Sequence, residues 1–213
     1  MSDNLFDVTM VELPTILPAL PFSGSFLFPG TKLNLRIYEM RYIRLVFNAL
    51  ASSRIVGVVQ PKGQDGPLKN PALYHVGCAG RISSFAEADN VLLITLTGIS
   101  RFNVIREINH ANLTYRNVEV DFKPFAADFA LKKFKFDKRR LYAALDRYAY
   151  SNNLDFDSSG LRQVPDEQVL MTLASLLPFS AAEKEALLES VSPENFFDTL
   201  VLLLEMNAAA TNN

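Results

Sequence analysis

The stretch Leu27-Phe28-Pro29-Gly30-Thr31-Lys32-Leu33-Asn34-Leu35-Arg36-Ile37-Tyr38-Glu39-Met40-Arg41-Tyr42 encodes a turn, a strand and the start of a helix in succession. Pro29-Gly30 reads as the centre of a type II turn, because proline sets φ and glycine accepts a positive φ at the next position. Leu33, Leu35 and Ile37 then alternate with Lys32, Asn34 and Arg36, the pattern of a half-buried strand with one wet face. From Glu39 the period changes. Tyr42, Leu45, Val46, Ala49 and Leu50 fall on one face of a helix.

The same reading extends outward in both directions. Upstream, the apolar segment Leu17 to Pro21 is flanked by Pro14, Pro18 and Pro21, which predicts an edge strand because each proline removes a ladder donor. Downstream, Ile55-Val56-Gly57-Val58-Val59 is a buried strand that Pro61 and the loop Gly63-Gln64-Asp65-Gly66-Pro67 bring to a stop. Val76, Cys78, Gly80 and Ile82 alternate, Asp89-Asn90 turns the chain, and Val91 to Thr97 returns until Gly98 breaks the run. Arg101 to Ile105 continues with Phe102 and Val104 on one side, and Tyr115 to Phe122 points Val118, Val120 and Phe122 inward. Short strands with one early helix predict a barrel-like or multi-sheet β domain over residues 13–122.

Past a connector at 123–136 the pattern is helical, and residues 137–206 predict a four-helix bundle. Asp137 caps a helix with the stripe Leu141, Tyr142, Leu145, Tyr148 and Ala149. A second helix follows Pro165 with Val169, Leu170, Leu173 and Leu176 inward. Ser180-Ala181-Ala182-Glu183 is a capping box. Ser192-Pro193 opens the last helix, whose stripe is Phe196, Phe197, Leu200, Leu203 and Leu204. Residues 1–12 and 207–213 read as frayed.

Composition limits the chemistry. The chain has 213 residues, 49% apolar and 21% charged, with a formal net charge of -2, which is typical of a globular protein and offers no bulk positive charge for nucleic acid. A single cysteine excludes an internal disulfide, and two histidines cannot build a zinc site without carboxylates. No phosphate-cradling glycine loop, dinucleotide fingerprint, zincin motif or nucleophile elbow occurs. No run of eighteen apolar residues is present, so no transmembrane helix is expected. Met1-Ser2-Asp3-Asn4 does not open a secretory signal, and a cytoplasmic location is the expectation.

The Phe-Pro-Gly turn, the alternating strand and the aromatic-Glu-x-Arg-Tyr helix start at Tyr38-Glu39-Met40-Arg41-Tyr42 resemble the opening of the LON domain. That domain is the amino-terminal substrate-binding part of the Lon ATP-dependent proteases. Val76-Gly77-Cys78-Ala79-Gly80-Arg81-Ile82, Leu93 to Gly98 with Ser100-Arg101-Phe102, and Leu176-Leu177-Pro178-Phe179 agree with it, so the resemblance spans roughly residues 13–206. It implies an α+β fold: a PUA-like β-barrel or multi-sheet domain followed by a helical bundle. It also implies a role in recognising polypeptide. The ATPase and Ser-Lys protease modules of the full protease have no counterpart here, so neither activity is inherited and no cofactor is expected. Expected partners are unfolded or partly folded polypeptides and an ATP-dependent protease, with no membrane.

Several residues qualify as candidate sites. Phe22, Phe26, Phe28 and Tyr38 crowd a segment rich in proline and glycine; they are either core or an apolar patch that holds unfolded segments, with Arg41 facing the groove. Pro29, Gly30, Glu39, Gly98 and Arg101 are motif positions with structural roles, and Glu39 is expected to pair with Arg101. An edge strand weakened by prolines could also accept a peptide strand. Cys78 and His75 would form a poor nucleophile–base pair, since an odd offset on a strand places them on opposite faces; a buried thiol is the simpler reading, and a cryptic hydrolase correspondingly unattractive. His110 reads as a solvated loop residue. Lys132, Lys133, Lys135, Lys138, Arg139 and Arg140, interleaved with Phe129, Phe134 and Phe136, carry the ingredients of an RNA-binding surface. Asp128 and Asp137 dilute that run, and a solvated connector docked by its phenylalanines competes with it.

Overall fold

A computed structural model describes residues 9–63, 71–89, 91–108, 114–154 and 164–210, without the side chains of 130–133, 167 and 210. The chain divides into two units, Met1–Phe129 and Ala130–Asn213.

The first unit carries β1 (Ile16–Leu20), β2 (Lys32–Ile37), α1 (Met40–Leu50), β3 (Ile55–Pro61), β4 (Leu73–Ala88), β5 (Val91–Ile108) and β6 (Asn117–Asp121). The strand order is β2-β5-β4-β3-β1-β6, and β6 pairs back onto β5, so five strands close into a ring. The length of β5 makes closure possible. Its first half pairs with β2 and β4, and its second half pairs with β4 and β6. All pairings are antiparallel except β1 with β3. Closure removes most of the open edge that a flat sheet would present.

Two apolar clusters fill this unit. One joins Leu35 and Ile37 of β2, Leu92, Ile94 and Leu96 of β5, and Tyr42, Leu45, Val46 and Ala49 of α1. The helical face expected from the spacing is the buried one. The other gathers Leu17, Ala19, Phe102, Val118, Val120 and Phe122, with the Phe102 and Phe122 rings edge-to-face at 5.9 Å.

Three sequence expectations need correction here. β1 is not an edge strand: Ile16, Leu17 and Pro18 pair with β6, while Ala19 and Leu20 pair with β3. Both ladders are short and staggered, so the proline is tolerated where one ladder ends. Gly98 does not break β5. The strand runs through it, and the register shifts opposite Ala79 and Gly80. The Pro29–Gly30 turn folds down onto this point, with Gly30 N donating to Gly98 O and Gly98 N donating to Thr31 O, both at 2.9 Å. A Cβ on Gly98 would lie 2.0 Å from the Phe28 carbonyl oxygen, so the close approach requires glycine. Gly30 itself has φ +74° and Thr31 N donates to Phe28 O, as the type II turn demands. Third, residues 9–12 are ordered: Met10–Glu12 is a 3-10 turn closed by a Thr9–Glu12 capping box.

The segment Lys123–Lys133 is also 3-10 helical, with a kink at Phe125. Phe125 is buried, and so is Asp128.

The second unit has α2 (Lys138–Ser151), α3 (Asp166–Leu176), α4 (Ala181–Glu189) and α5 (Pro193–Ala210). Asp137 accepts hydrogen bonds from the amides of Arg139 and Arg140. Ser180 Oγ accepts from Glu183 N while Glu183 Oε2 accepts from Ser180 N, and Ser192 Oγ accepts from Asn195 N. The buried stripes include Leu141, Leu145 and Tyr148, and Phe196, Phe197, Leu200, Leu203 and Leu204. Each such leucine contributes roughly 1.5–3 kcal/mol. Leu176 departs from expectation at 70% exposure. The helix stops there, and Leu177 in extended conformation turns its own side chain inward instead. α5 continues to Ala210, past the point where fraying was expected. No described helix is long and apolar enough to cross a membrane.

Candidate functional site

The junction between β2 and α1 gathers Phe22, Tyr38, Glu39, Met40, Arg41 and Tyr42. Alternation along β2 leaves Ile37 inside and Tyr38 outside; the helical period then starts at Met40, so consecutive residues project into water. Tyr42 is anchored in the core. The half-buried Phe22 ring meets it edge-to-face at 4.8 Å, and the Arg41 guanidinium lies over it, 4.6 Å from the ring centroid. Arg41 Nε also donates to Glu39 Oε2 at 2.8 Å. Beside this stack, Tyr38 is 60% exposed and Met40 62%.

The chemistry available is adhesive. Aromatic and thioether surfaces bury apolar side chains, and Arg41 donates to carbonyls or carboxylates. The Glu39–Arg41 pair is solvent-exposed on both sides and worth at most about 1 kcal/mol, so Arg41 is free to exchange its partner at little cost. Tyr42, which organises the stack, is identified by the helical stripe only as core.

For Phe26 and Phe28 the core alternative holds and the surface-patch alternative fails, and the expected Glu39–Arg101 pair does not form. Phe26 and Phe28 are core side chains, at 7% and 0% exposure, because the turn that follows folds onto Gly98 and takes them inside. Glu39 does not meet Arg101. The Arg101 side chain is fully buried and pairs with an equally buried Asp128: Nη2 to Oδ1 at 2.7 Å, Nε to Oδ2 at 3.1 Å and backbone N to Oδ2 at 2.9 Å. The Phe125 ring lies 4.7 Å from the guanidinium. A guanidinium without water requires a carboxylate equally removed from water, and Glu39 remains in solvent. The available signal was a single acidic residue inside the apolar run Phe125-Ala126-Ala127-Asp128-Phe129.

The other candidates separate in space. His75 is exposed and Cys78 fully buried, on opposite faces of β4 as the odd offset requires. Burial, reinforced by the Asp128 charge, pushes the Cys78 thiol far above its usual range, so it supplies no thiolate near neutral pH. His110 and the side chains of Lys132 and Lys133 lie outside the described residues. Of the remaining cations in the basic run, Lys138 pairs with Asp166 at 2.6 Å and Arg140 with Asp198 at 2.7 Å. Phe136 stacks between Phe134 and Phe197 at 6.2 and 5.7 Å. The Phe136 ring is engaged within its own unit, whereas both ion pairs are solvent-exposed and, like Glu39–Arg41, worth at most about 1 kcal/mol.

The model of the ATP-dependent protease La (LON) substrate-binding domain matches residues 16–205. The chain is 27% identical to Lon protease of Elusimicrobium minutum (strain Pei191) over 202 residues, 90% of this chain and 24% of that protein. It is 30% identical to Lon protease 2 of Myxococcus xanthus over 113 residues, 52% of this chain and 13% of that protein. The chain therefore spans about a quarter or less of these relatives' length. Among solved structures, a Lon N-terminal domain protein from Xanthomonas campestris superposes with a TM-score of 0.62 at 27% identity, covering 89% of this chain and 98% of that chain. The N-terminal domain of Mycobacterium avium complex Lon protease shares the fold, with a TM-score of 0.59 at 16% identity over 91% of this chain and 98% of that one. On the extent of the family match, this chain belongs to the ATP-dependent protease La (LON) substrate-binding domain family.

Proposed function

We propose that the chain is a non-catalytic, cytoplasmic binding module that reversibly captures unfolded, apolar polypeptide segments at the β2–α1 junction. The reading is carried by one observation: Tyr38 and Met40 stand in solvent beside the Phe22–Tyr42–Arg41 stack. Exposed aromatic and thioether groups on a rigid base bind without strict sequence demands, because burial is non-directional. The closed strand ring supports reading the first unit as a PUA-like barrel, and the capped helices beyond residue 137 support reading the second as a bundle. A separate ATP-dependent protease is the natural consumer of segments held this way, in keeping with the Lon proteases among its relatives. The RNA-binding alternative is not favoured: the family matched is a substrate-binding domain, and the Phe136 ring is occupied by Phe134 and Phe197.

The test is fluorescence anisotropy of reduced, alkylated α-lactalbumin, which stays unfolded, titrated with the full chain. Tyr38→Ser combined with Arg41→Ala should weaken binding about tenfold, the scale of one or two aromatic or arginine hot spots. Thermal stability should move by no more than about 2 kcal/mol, the sum of an exposed ion pair and an exposed cation–π contact. Unchanged affinity in the double variant would move the binding surface elsewhere. Salt-dependent binding of a single-stranded RNA in place of the polypeptide would favour the other reading.

A further inference from the structure

β2 is an end strand of the sheet, and among the described residues β5 is its one strand neighbour. Which of its backbone groups face outward follows from the register. Lys32 pairs with Thr97, so Thr31 lies across from Gly98, and Thr31 O accepts from Gly98 N at 2.9 Å. Antiparallel ladders alternate bonded and non-bonded pairs. The amides and carbonyls of Leu33, Leu35 and Ile37 therefore turn toward β5, and those of Lys32, Asn34 and Arg36 turn off the sheet. The Lys32, Asn34 and Arg36 side chains are exposed on the outer face, while Leu33 and Leu35 pack on the core side.

The charge along this strand and the helix that follows it is one-sided. From Lys32 to Phe47 the exposed cations are Lys32, Arg36, Arg41 and Arg44, against the single carboxylate of Glu39, in a chain whose formal net charge is -2. That distribution disfavours a second copy as occupant in the register of greatest overlap. Two β2 strands paired antiparallel about Asn34 would set Lys32 directly opposite Arg36 twice, and directly opposed like charges are destabilising.

We infer that the β2 edge accepts an extended polypeptide segment as an added strand and selects segments in which acidic and apolar residues alternate. The outward backbone groups of Lys32, Asn34 and Arg36 would hold the segment's main chain. Its carboxylates would lie beside Lys32 and Arg36, and its apolar side chains beside Leu33 and Leu35. The inference rests on the polypeptide-capture reading and adds to it a second contact, made through the backbone and with a preferred charge.

The experiment uses the full chain and two labelled, end-capped heptapeptides, one alternating valine with glutamate and the other valine with lysine. Anisotropy should show the glutamate peptide binding at least about fivefold more tightly, from two favourable cross-strand charge pairs against two repulsive ones. Asn34→Pro removes an amide that points away from β5, so the strand can keep its ladder, and binding of the glutamate peptide should fall about tenfold. Lys32→Glu combined with Arg36→Glu should reverse the preference between the peptides; this variant decides the matter if Asn34→Pro does not fold. Equal affinity for both peptides overturns the inference, as does binding indifferent to both variants. Sedimentation showing self-association that Asn34→Pro abolishes would also overturn it, by assigning the edge to a second copy. If unfolded α-lactalbumin still binds while the edge variants change nothing, this inference fails and the capture reading stands. If neither peptide nor unfolded polypeptide binds, both fail.

Discussion

Replacing Asp128 by alanine should be among the most damaging single changes in the first unit. The Asp128 and Arg101 side chains are both 0% exposed, and the carboxylate accepts from the guanidinium at 2.7 and 3.1 Å and from the Arg101 amide at 2.9 Å. Removing it takes the neutralising carboxylate away from a fully buried guanidinium. The Phe125 ring, 4.7 Å away, offsets at most about 2 kcal/mol. A broken buried pair of this kind costs roughly 3–5 kcal/mol, against a total of only about 5–15 kcal/mol for a typical domain. At roughly 3–5 °C per kcal/mol for a unit of this size, the melting temperature should fall by roughly 10–20 °C. Because the chain has two units, a single melting curve is a poor measure. Hydrogen exchange at the β4 and β5 amides reads the first unit alone. The decisive control replaces both partners, Arg101→Met with Asp128→Leu. Since the penalty comes from a buried charge that has lost its carboxylate, the double variant should be clearly more stable than Asp128→Ala. A loss below about 1 kcal/mol for Asp128→Ala, or a double variant showing the sum of both single losses, would refute the reasoning.

Two further outcomes follow from the packing and the titration of buried groups. Gly98→Ala should lift the Phe28–Thr31 turn, because the new Cβ would lie 2.0 Å from a backbone oxygen that has no flexible side chain to yield; a loss of about 3 kcal/mol or more is expected, read by urea denaturation, and an unchanged midpoint would contradict it. Stability should also decline at alkaline pH through Cys78. Its thiol is raised in the folded chain by burial from an ordinary value of 9.0, so this contribution is complete below pH 9. Above pH 9 the unfolded chain releases a proton that the folded chain retains, and the contribution is lost at up to about 1.4 kcal/mol per pH unit. Cys78→Ala should flatten that portion of the pH profile, and an unaltered slope would show that the thiol is not held neutral.

Features governed by neighbours in the chain were open to inspection beforehand. The Pro29–Gly30 turn, the alternation along β2, the buried face of α1 and the Ser180–Glu183 capping box each depend on dihedral preferences and contacts within a few residues. The structure reproduces all of them. The candidate surface was legible only in part. Tyr38 and Arg41 are exposed where the period changes from strand to helix, a change visible in the letters. Phe26 and Phe28 could not be distinguished from Tyr38 by composition, since burial of one aromatic and exposure of another depend on what folds over them.

What local pattern determined, then, was the kind of element at each position and the side each element would hide from water, because hydrogen bonding and hydrophobic periodicity act over a turn or a strand. Tertiary structure alone decided which distant groups meet. Asp128 is 27 residues from Arg101, β1 is enclosed because β6 returns to it, and Gly98 is needed because a separate turn lands on it. Each of these brings together segments whose separation along the chain leaves no periodic trace.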